Sequence, residues 1–505
     1  MAQSASERSS QSPVRGAPLV AAAGLPLGVA AAAMAVFLGF LISGRFAPAG
    51  AITRSPTTMF LFIVLAAIGL PILGLAILRW PDLIACGLIF SCVLFNETIE
   101  RVYLPLGFFR LYPQDILLAA AVAVAVLRSR AATAVRWKAT ALGKWIGIVI
   151  LFASFQATHG LRMGNDFNSA FGDLRRGYLY MVVYYLALAE SSDWQRLRRL
   201  HGAFLLGSLL VVARGFYRLA FGRLFQMSWF DVFHVLGHSD LMFVTFLSYY
   251  CLARMVFPTP GRQRWPWVML FPVTLVLIVL GNFRANWVGF VLAGLVTVVL
   301  LPPRKRRWAV AAAIPILVGA ALVFYACRNV RIGEFGETVQ ETVGAKLRNL
   351  LDWKNDPNVI WRFHSYRAAW QIWRDHPWLG VGLGRKLVFH SINSSGQQIV
   401  QFDHRTHNSF LWVGYTTGLV GLVIFLALQA TYFLGAARQA RALADRPERG
   451  LVLAYLAFYI GFMVVALFDV MLEESAPAIA LYFHMGIVRR LAHMGDREAQ
   501  ANREG

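Results

Sequence analysis

Uninterrupted apolar runs, each about as long as a bilayer is thick, set the terms for this chain. They fall near 19–44, 57–79, 82–96, 113–127, 142–158, 178–190, 201–220, 239–256, 266–283, 286–302, 308–326, 410–434, 451–469 and 475–488. A hydrocarbon core about 30 Å thick takes about 20 residues of helix. A helix is also the segment that satisfies its own backbone hydrogen bonds in lipid. The expected fold is therefore an all-α, polytopic membrane helical bundle of about 14 spans, or about 12 or 13 if the short runs at 113–127 and 178–190 do not cross. Charged residues make up 15% and hydrophobic ones 58% of the 505 residues. An average soluble domain carries about 25% charge, so a water-soluble fold is excluded.

The formal net charge of +22 raises the question of nucleic acid. The positions of the cations exclude it. Lys and Arg gather in alternate short loops: Arg128 to Lys144, Arg196 to Arg199, Arg254 to Arg264, Arg304 to Arg307 and Arg438 to Arg449. That is the positive-inside pattern, and it places these loops in the cytoplasm. The opposite side receives the acidic turn Asp469, Glu473 and Glu474, and the one long loop, 327–406. The expected division is a disordered cytoplasmic N-terminus over 1–18, spans over 19–326 beginning with an uncleaved one, the periplasmic loop over 327–406, spans over 407–490 and a cytoplasmic tail over 491–505. Cys86, Cys92, Cys251 and Cys327 form no CxxC pair and support neither a disulfide framework nor a zinc site.

Several arginines fall on the side that insertion bias does not favour: Arg162, Arg175, Arg176, Arg214, Arg218, Arg223, Arg284, Arg362 and Arg367. Two explanations compete. The side chains snorkel to local lipid phosphates, or they bind an anion at the outer membrane surface. Arg284 favours the second, because Gly-Asn-Phe-Arg-Ala-Asn-Trp leaves almost no loop between two apolar runs. A guanidinium held that close to the apolar zone is costly, and it is the group suited to bidentate phosphate binding.

Within the long loop, Arg362 to His376 reads as an amphipathic helix. Phe363, Tyr366, Trp370 and Trp373 recur at spacings of three and four, on one face. Pro377 ends it, and Gly380, Gly382 and Gly384 make a turn. Gly-Val-Gly-Leu-Gly follows a helix rather than a strand, so it is discounted as a nucleotide motif. The loop closes on His404-Arg-Thr-His407-Asn408-Ser409 at the mouth of a span carrying Gly414, Gly418 and Gly421. An imidazole there can take a proton from a hydroxyl, and a neighbouring Asn can orient it. The alternative is a structural interfacial histidine. His404 and His407 are three apart, but no third convincing ligand supports a metal site.

His407-Asn408, nine residues, then Gly418-Leu-Val-Gly421 resembles the signature of the O-antigen ligase and O-antigen polymerase superfamily. Pro377-Trp-Leu-Gly-Val-Gly-Leu-Gly384 and the preceding aromatic helix are similar too. Arg284 stands where the family has a Ser-Arg-Gly-like arginine, here Phe-Arg-Ala. The resemblance covers the second half of the chain; the first half matches only as a run of spans. It implies a membrane glycosyltransferase of the GT-C type, without metal or cofactor, in the bacterial inner membrane with its active face periplasmic. It further implies a donor glycan on undecaprenyl diphosphate, direct inverting transfer, and an acceptor that is lipid A-core or a growing glycan. His407 would be the general base, with Arg284 and Arg362 on the diphosphate. Arg367, Arg405, Asn408, Arg214 and His238 would line the substrate. Membrane lipids are the other expected partner, and nucleic acid is not one. A polysaccharide or lipid transporter or flippase is the rival class, and a non-catalytic scaffold the third. No internal repeat supports the transporter.

Overall fold

The computed structural model describes residues 82–96, 103–106, 109–131, 140–220, 235–261, 263–281, 283–329, 357–392, 398–403, 405–443 and 446–504, with isolated positions between 338 and 354. The polar N-terminal stretch, the runs at 19–44 and 57–79, Arg223, His234 and His404 lie outside the described residues. The rest is built from α1 (Leu83–Leu94), a short hairpin of β1 (Leu104–Leu106) and β2 (Phe109–Leu111), α2 (Pro113–Ala131), α3 (Ala141–Arg162) and α4 (Phe167–Gly177). Next come α5 (Val183–Glu190), α6 (Trp194–Ala220), α7 (His238–Val256), α8 (Trp265–Leu280), α9 (Arg284–Leu300) and α10 (Pro303–Cys327). After the long loop's α11 (Pro357–Asp375) and hairpin of β3 (Leu387–Ile392) and β4 (Gln398–Asp403), the chain ends with α12 (Ser409–Ala442), α13 (Pro447–Ala466) and α14 (Ser475–Glu504).

Some helices begin where the sequence supplies a side-chain cap or a first-turn proline. Thr140 accepts the Gly143 N–H at 2.9 Å, Asp166 caps α4 through Ser169, and Pro447 opens α13. Helix α13 is the core element: it packs on α7, α9, α12 and α14 and is buried from Val452 to Tyr459. It crosses α9 at two glycines. A Cβ on Gly289 would sit 3.0 Å from the Gly461 carbonyl oxygen, so only small residues allow this approach.

The membrane-bundle expectation holds. Helices α3, α6, α12 and α13 are long and apolar enough to cross a bilayer, and α1, α8, α9 and residues 113–127 of α2 are apolar but shorter. The run at 178–190 is not one span. It divides into a 3-10 turn, Leu179–Val182, and the eight residues of α5, about 12 Å of helix.

The bundle's two ends differ in chemistry. At one, the Arg449 guanidinium donates to the Leu300 carbonyl at 2.7 Å and the Lys305 ammonium lies 3.9 Å over the Phe257 ring, drawing the basic loops together. At the other lie the starts of α7, α9 and α12 and the turn after α13. Here α12 is broken at Gly418, which has φ +68°. Below the break the Leu419, Val423, Leu426 and Leu434 side chains are exposed, as a lipid-facing helix requires. From Leu419 to Ala437 this lower piece is roughly 28 Å long, close to a bilayer core. Above the break, Ser409 and Trp412 to Thr417 are buried against the loop.

The two glycine motifs meet at this break. Because the helical ladder stops at Gly418, the Tyr415 and Thr416 carbonyls accept from the Val381 and Gly382 N–H groups at 3.0 and 2.9 Å. In return the Leu419 and Val420 N–H groups donate to the Pro377 and Trp378 carbonyls at 2.8 and 3.2 Å. Gly380, Gly382 and Gly384 all have positive φ and thread between α12, α3 and α4: a Cβ on Gly382 would lie 2.2 Å from the Gly160 backbone. The Gly-rich turn thus packs the loop closely against α12, α3 and α4.

Candidate active site

Helix α11 descends beside the upper piece of α12. Its contact face is made of small residues, Ser365 and Ala369, both fully buried. Tyr366 and Trp373 flank that face on the inner side. Trp373 packs on Gly414, and the Tyr366 hydroxyl donates to the His407 carbonyl at 3.0 Å. Phe363 and Trp370 lie farther round and are more than half exposed, with Arg367 on the same outward side. The single aromatic face expected from spacing is therefore split, because the helix is seated on its small residues and not on its rings.

His407 precedes α12 with φ +49°, the only positive value of a non-glycine residue among those described. That conformation is uncommon and is sustained only when neighbours hold it. Tyr366 binds its carbonyl, and the Thr406 hydroxyl donates to the next carbonyl, that of Asn408, at 2.7 Å. The Asn408 side chain caps α12 by accepting the Leu411 N–H at 2.9 Å. The orienting partner of the imidazole is instead Asp469, from the turn after α13, whose Oδ1 lies 3.0 Å from His407 Nδ1. The Trp361 ring meets the imidazole at 83° with centroids 5.0 Å apart.

Asp469 is buried and has three donors. Besides His407, the Val470 N–H reaches its Oδ1 at 2.9 Å, and His238 Nε2 reaches its Oδ2 at 2.9 Å. Burial pushes this carboxyl up, but the two imidazoles more than offset that and hold it well below the usual carboxylate range. His238, at the first position of α7, also meets Asn286 of α9 at 3.2 Å and lies against the Phe283 ring, tilted by 42° with centroids 3.5 Å apart. Arg284 lies between these two residues in the chain. Arg362 follows Trp361 and acts electrostatically on Tyr366, whose phenol is pushed up to about 12, first by burial, and so remains a donor at neutral pH.

The structure thus brings His407, Asn408 and His238 into one cluster, with Arg284 and Arg362 adjoining it in the chain. The other expected residues have different surroundings. Arg214 is held by Asp240 of α7, which is fully buried, and donates to the Leu94 carbonyl at 2.6 Å. Arg405 acts electrostatically on Asp173 of α4, which accepts the Gly384 N–H at 2.9 Å. Arg367 is on the outward side of α11. Sequence reasoning noted Asp469 only as part of an acidic turn and missed Asn286 and Trp361. The available signal was a lone Asp immediately after a span, on the same side as His407.

A family model described as O-antigen ligase matches residues 268–426. The match runs from α8 through the long loop to just past Gly421, so it contains Arg284, Arg362, His407 and both glycine motifs, but neither His238 nor Asp469. No curated protein matches the chain. The chain therefore carries an O-antigen ligase domain over residues 268–426, the region that holds Arg284, Arg362 and His407.

Proposed function

We propose that this protein transfers a glycan from undecaprenyl diphosphate to a sugar hydroxyl of lipid A-core or of a growing glycan, on the periplasmic face of the inner membrane. The observation that supports this most is the contact between His407 Nδ1 and Asp469. A carboxylate at Nδ1 fixes the hydrogen there, so Nε2 carries the lone pair, which is the arrangement a general base needs.

In the step proposed, Nε2 of His407 takes the acceptor hydroxyl's proton as its oxygen bonds to the anomeric carbon. The bond from that carbon to the diphosphate oxygen breaks, and undecaprenyl diphosphate leaves with the electron pair. Attack opposite the leaving group inverts the anomeric centre. Arg284 and Arg362 meet the charge that develops on the diphosphate. Asp469 stabilises the imidazolium formed on His407.

Complementation of a deletion strain with His407→Ala tests this, with the envelope polysaccharide read on a gel and the protein's presence in the membrane verified. The expected result is loss of mature glycan, reflecting a rate lower by about 10²- to 10⁴-fold. Long polymer left on the carrier marks a ligase, and single repeat units mark a polymerase. Normal glycan from the variant would refute the mechanism.

A further inference from the structure

At the bundle's basic end, the start of α3, the last turns of α12 and the middle of α14 line a cleft of about 760 Å³. We propose that this cleft binds an anionic phospholipid of the leaflet on that side, with the lipid phosphate among Arg438, Arg446 and Arg489 and an acyl chain running out over Leu434. The site does not depend on the transfer reading above, since the His407 cluster lies at the bundle's other end.

The polar part of the wall is built for an anion. Arg438 of α12, Arg446 at the cap of α13 and Arg489 of α14 all line the cleft, and no Asp or Glu does. The positive-inside rule explains which side these arginines take. It does not explain why three separate elements bring them to one concavity. Neighbouring cations are used differently: Arg449 donates to the Leu300 carbonyl and Arg490 to the Ser191 carbonyl, each at 2.7 Å. In the cleft, the Tyr432 hydroxyl, the Gln439 amide nitrogen and Arg489 Nε are buried without a hydrogen-bond partner among the described residues. Tyr432 itself is only 3% exposed. Buried polar atoms are normally paired. All three of these can donate, and a phosphate presents only acceptors to them.

The rest of the wall is apolar and leads to lipid. Leu434 lines the cleft and is half exposed on the lipid-facing side of α12. A second cleft, of about 330 Å³, lies between α9 and α12 and is lined by Leu295, Val299 and Phe433. Leu295 and Val299 are more than half exposed. Arg438 and Leu434 line both clefts, so a phosphate at Arg438 has apolar surface for a chain on either side of α12. A soluble anion would use the arginines and leave these walls bare, whereas a phospholipid covers both. The larger cleft is within the range of about 300–1,000 Å³ found for ligand sites, and basic pockets between spans are places where anionic headgroups bind.

The test is native mass spectrometry of the full-length protein in detergent, titrated with phosphatidylglycerol or with phosphatidylcholine. The expected result is retention of phosphatidylglycerol at concentrations where phosphatidylcholine is not retained. Arg438→Gln combined with Arg489→Gln should weaken that retention by about tenfold or more. Arg304 and Arg307 are exposed cations at the same end and line neither cleft. Arg304→Gln combined with Arg307→Gln removes the same charge and should leave retention unchanged. Gly435 lines the larger cleft, with open space where a Cβ would stand. Gly435→Trp therefore fills the cleft with every arginine in place, and should lose retention even if the first pair of substitutions does not fold. Equal retention of the two lipids, equal loss in both arginine pairs, or full retention in Gly435→Trp overturns the proposal. Displacement of the lipid by inorganic phosphate at matched concentration also overturns it, because the site would then be one for a free anion.

Discussion

A Cβ added to Gly418 would lie 2.1 Å from the carbonyl oxygen of Trp378. The same glycine has φ +68°, so a side chain there meets both a backbone atom and an unfavourable conformation. Gly418→Ala should lower stability by about 1–3 kcal/mol or more, read as a lower melting temperature in detergent. Gly435, on the exposed lower part of the same helix, has open space around it. Gly435→Ala should melt like the wild type. Equal melting of both variants would mean that the exchange of hydrogen bonds at the break is not what seats the loop on α12.

Asp469 lies within hydrogen-bond distance of both His407 and His238. Asp469→Asn should reduce glycan transfer by about 10²- to 10⁴-fold with the protein still in the membrane, because an amide can present its N–H to His407 and so favour the wrong tautomer. Near-normal transfer by this variant would remove Asp469 from the mechanism. The carboxyl also has a stability signature. Its folded pKa lies well below the ordinary value, so it stabilises the fold above about pH 4, and that contribution is lost as pH falls toward the folded value.

Arg214 and Asp240 form an ion pair in which Asp240 is fully buried. Arg214→Met leaves a buried carboxylate without its guanidinium and should cost about 3–5 kcal/mol. The double variant Arg214→Met with Asp240→Leu should recover most of that in thermal melting, and glycan synthesis with it. Persistent loss of transfer in a stable double variant would instead restore Arg214 to the substrate-binding role expected from sequence.

Asp173 gives a second pH dependence, of opposite sign. Burial pushes its carboxyl up to about 6, against the lowering effects of Arg176, Gly384 and Arg405. The folded state then holds a proton that the unfolded chain releases near pH 4. Stability contributed by this group falls as pH rises between about 4 and 6, by at most about 3 kcal/mol. Asp173→Asn should melt with the wild type at pH 4 and above it at pH 8. A gap of the same size at both values would exclude the carboxyl as its cause.

The sequence by itself determined the membrane class, the all-α bundle and the segregation of the basic loops, because run length and loop charge are local quantities that lipid and water read directly. It also pointed to His407 and to the Gly-rich turn, since a histidine at a span's mouth and glycines after a proline carry their chemistry in the neighbourhood of the residue. Tertiary structure decided the rest. Asp469, His238 and Asn286 sit at the ends of three different helices, and no spacing relates them to His407; only the packing of α13 against α7, α9 and α12 brings them together. Asn408 looked like the partner of His407 because it is adjacent in the chain, yet its side chain serves the orphan N–H of the helix it begins. The aromatic residues of α11 share a spacing, but which of them turn inward depends on where α12 leaves room, and that room lies over Ser365 and Ala369. The hairpin of β3 and β4 gave no signal beside stronger apolar runs. A broken helix at Gly418 could not be read from a glycine alone, because the break is stabilised by carbonyl and N–H partners on a distant turn.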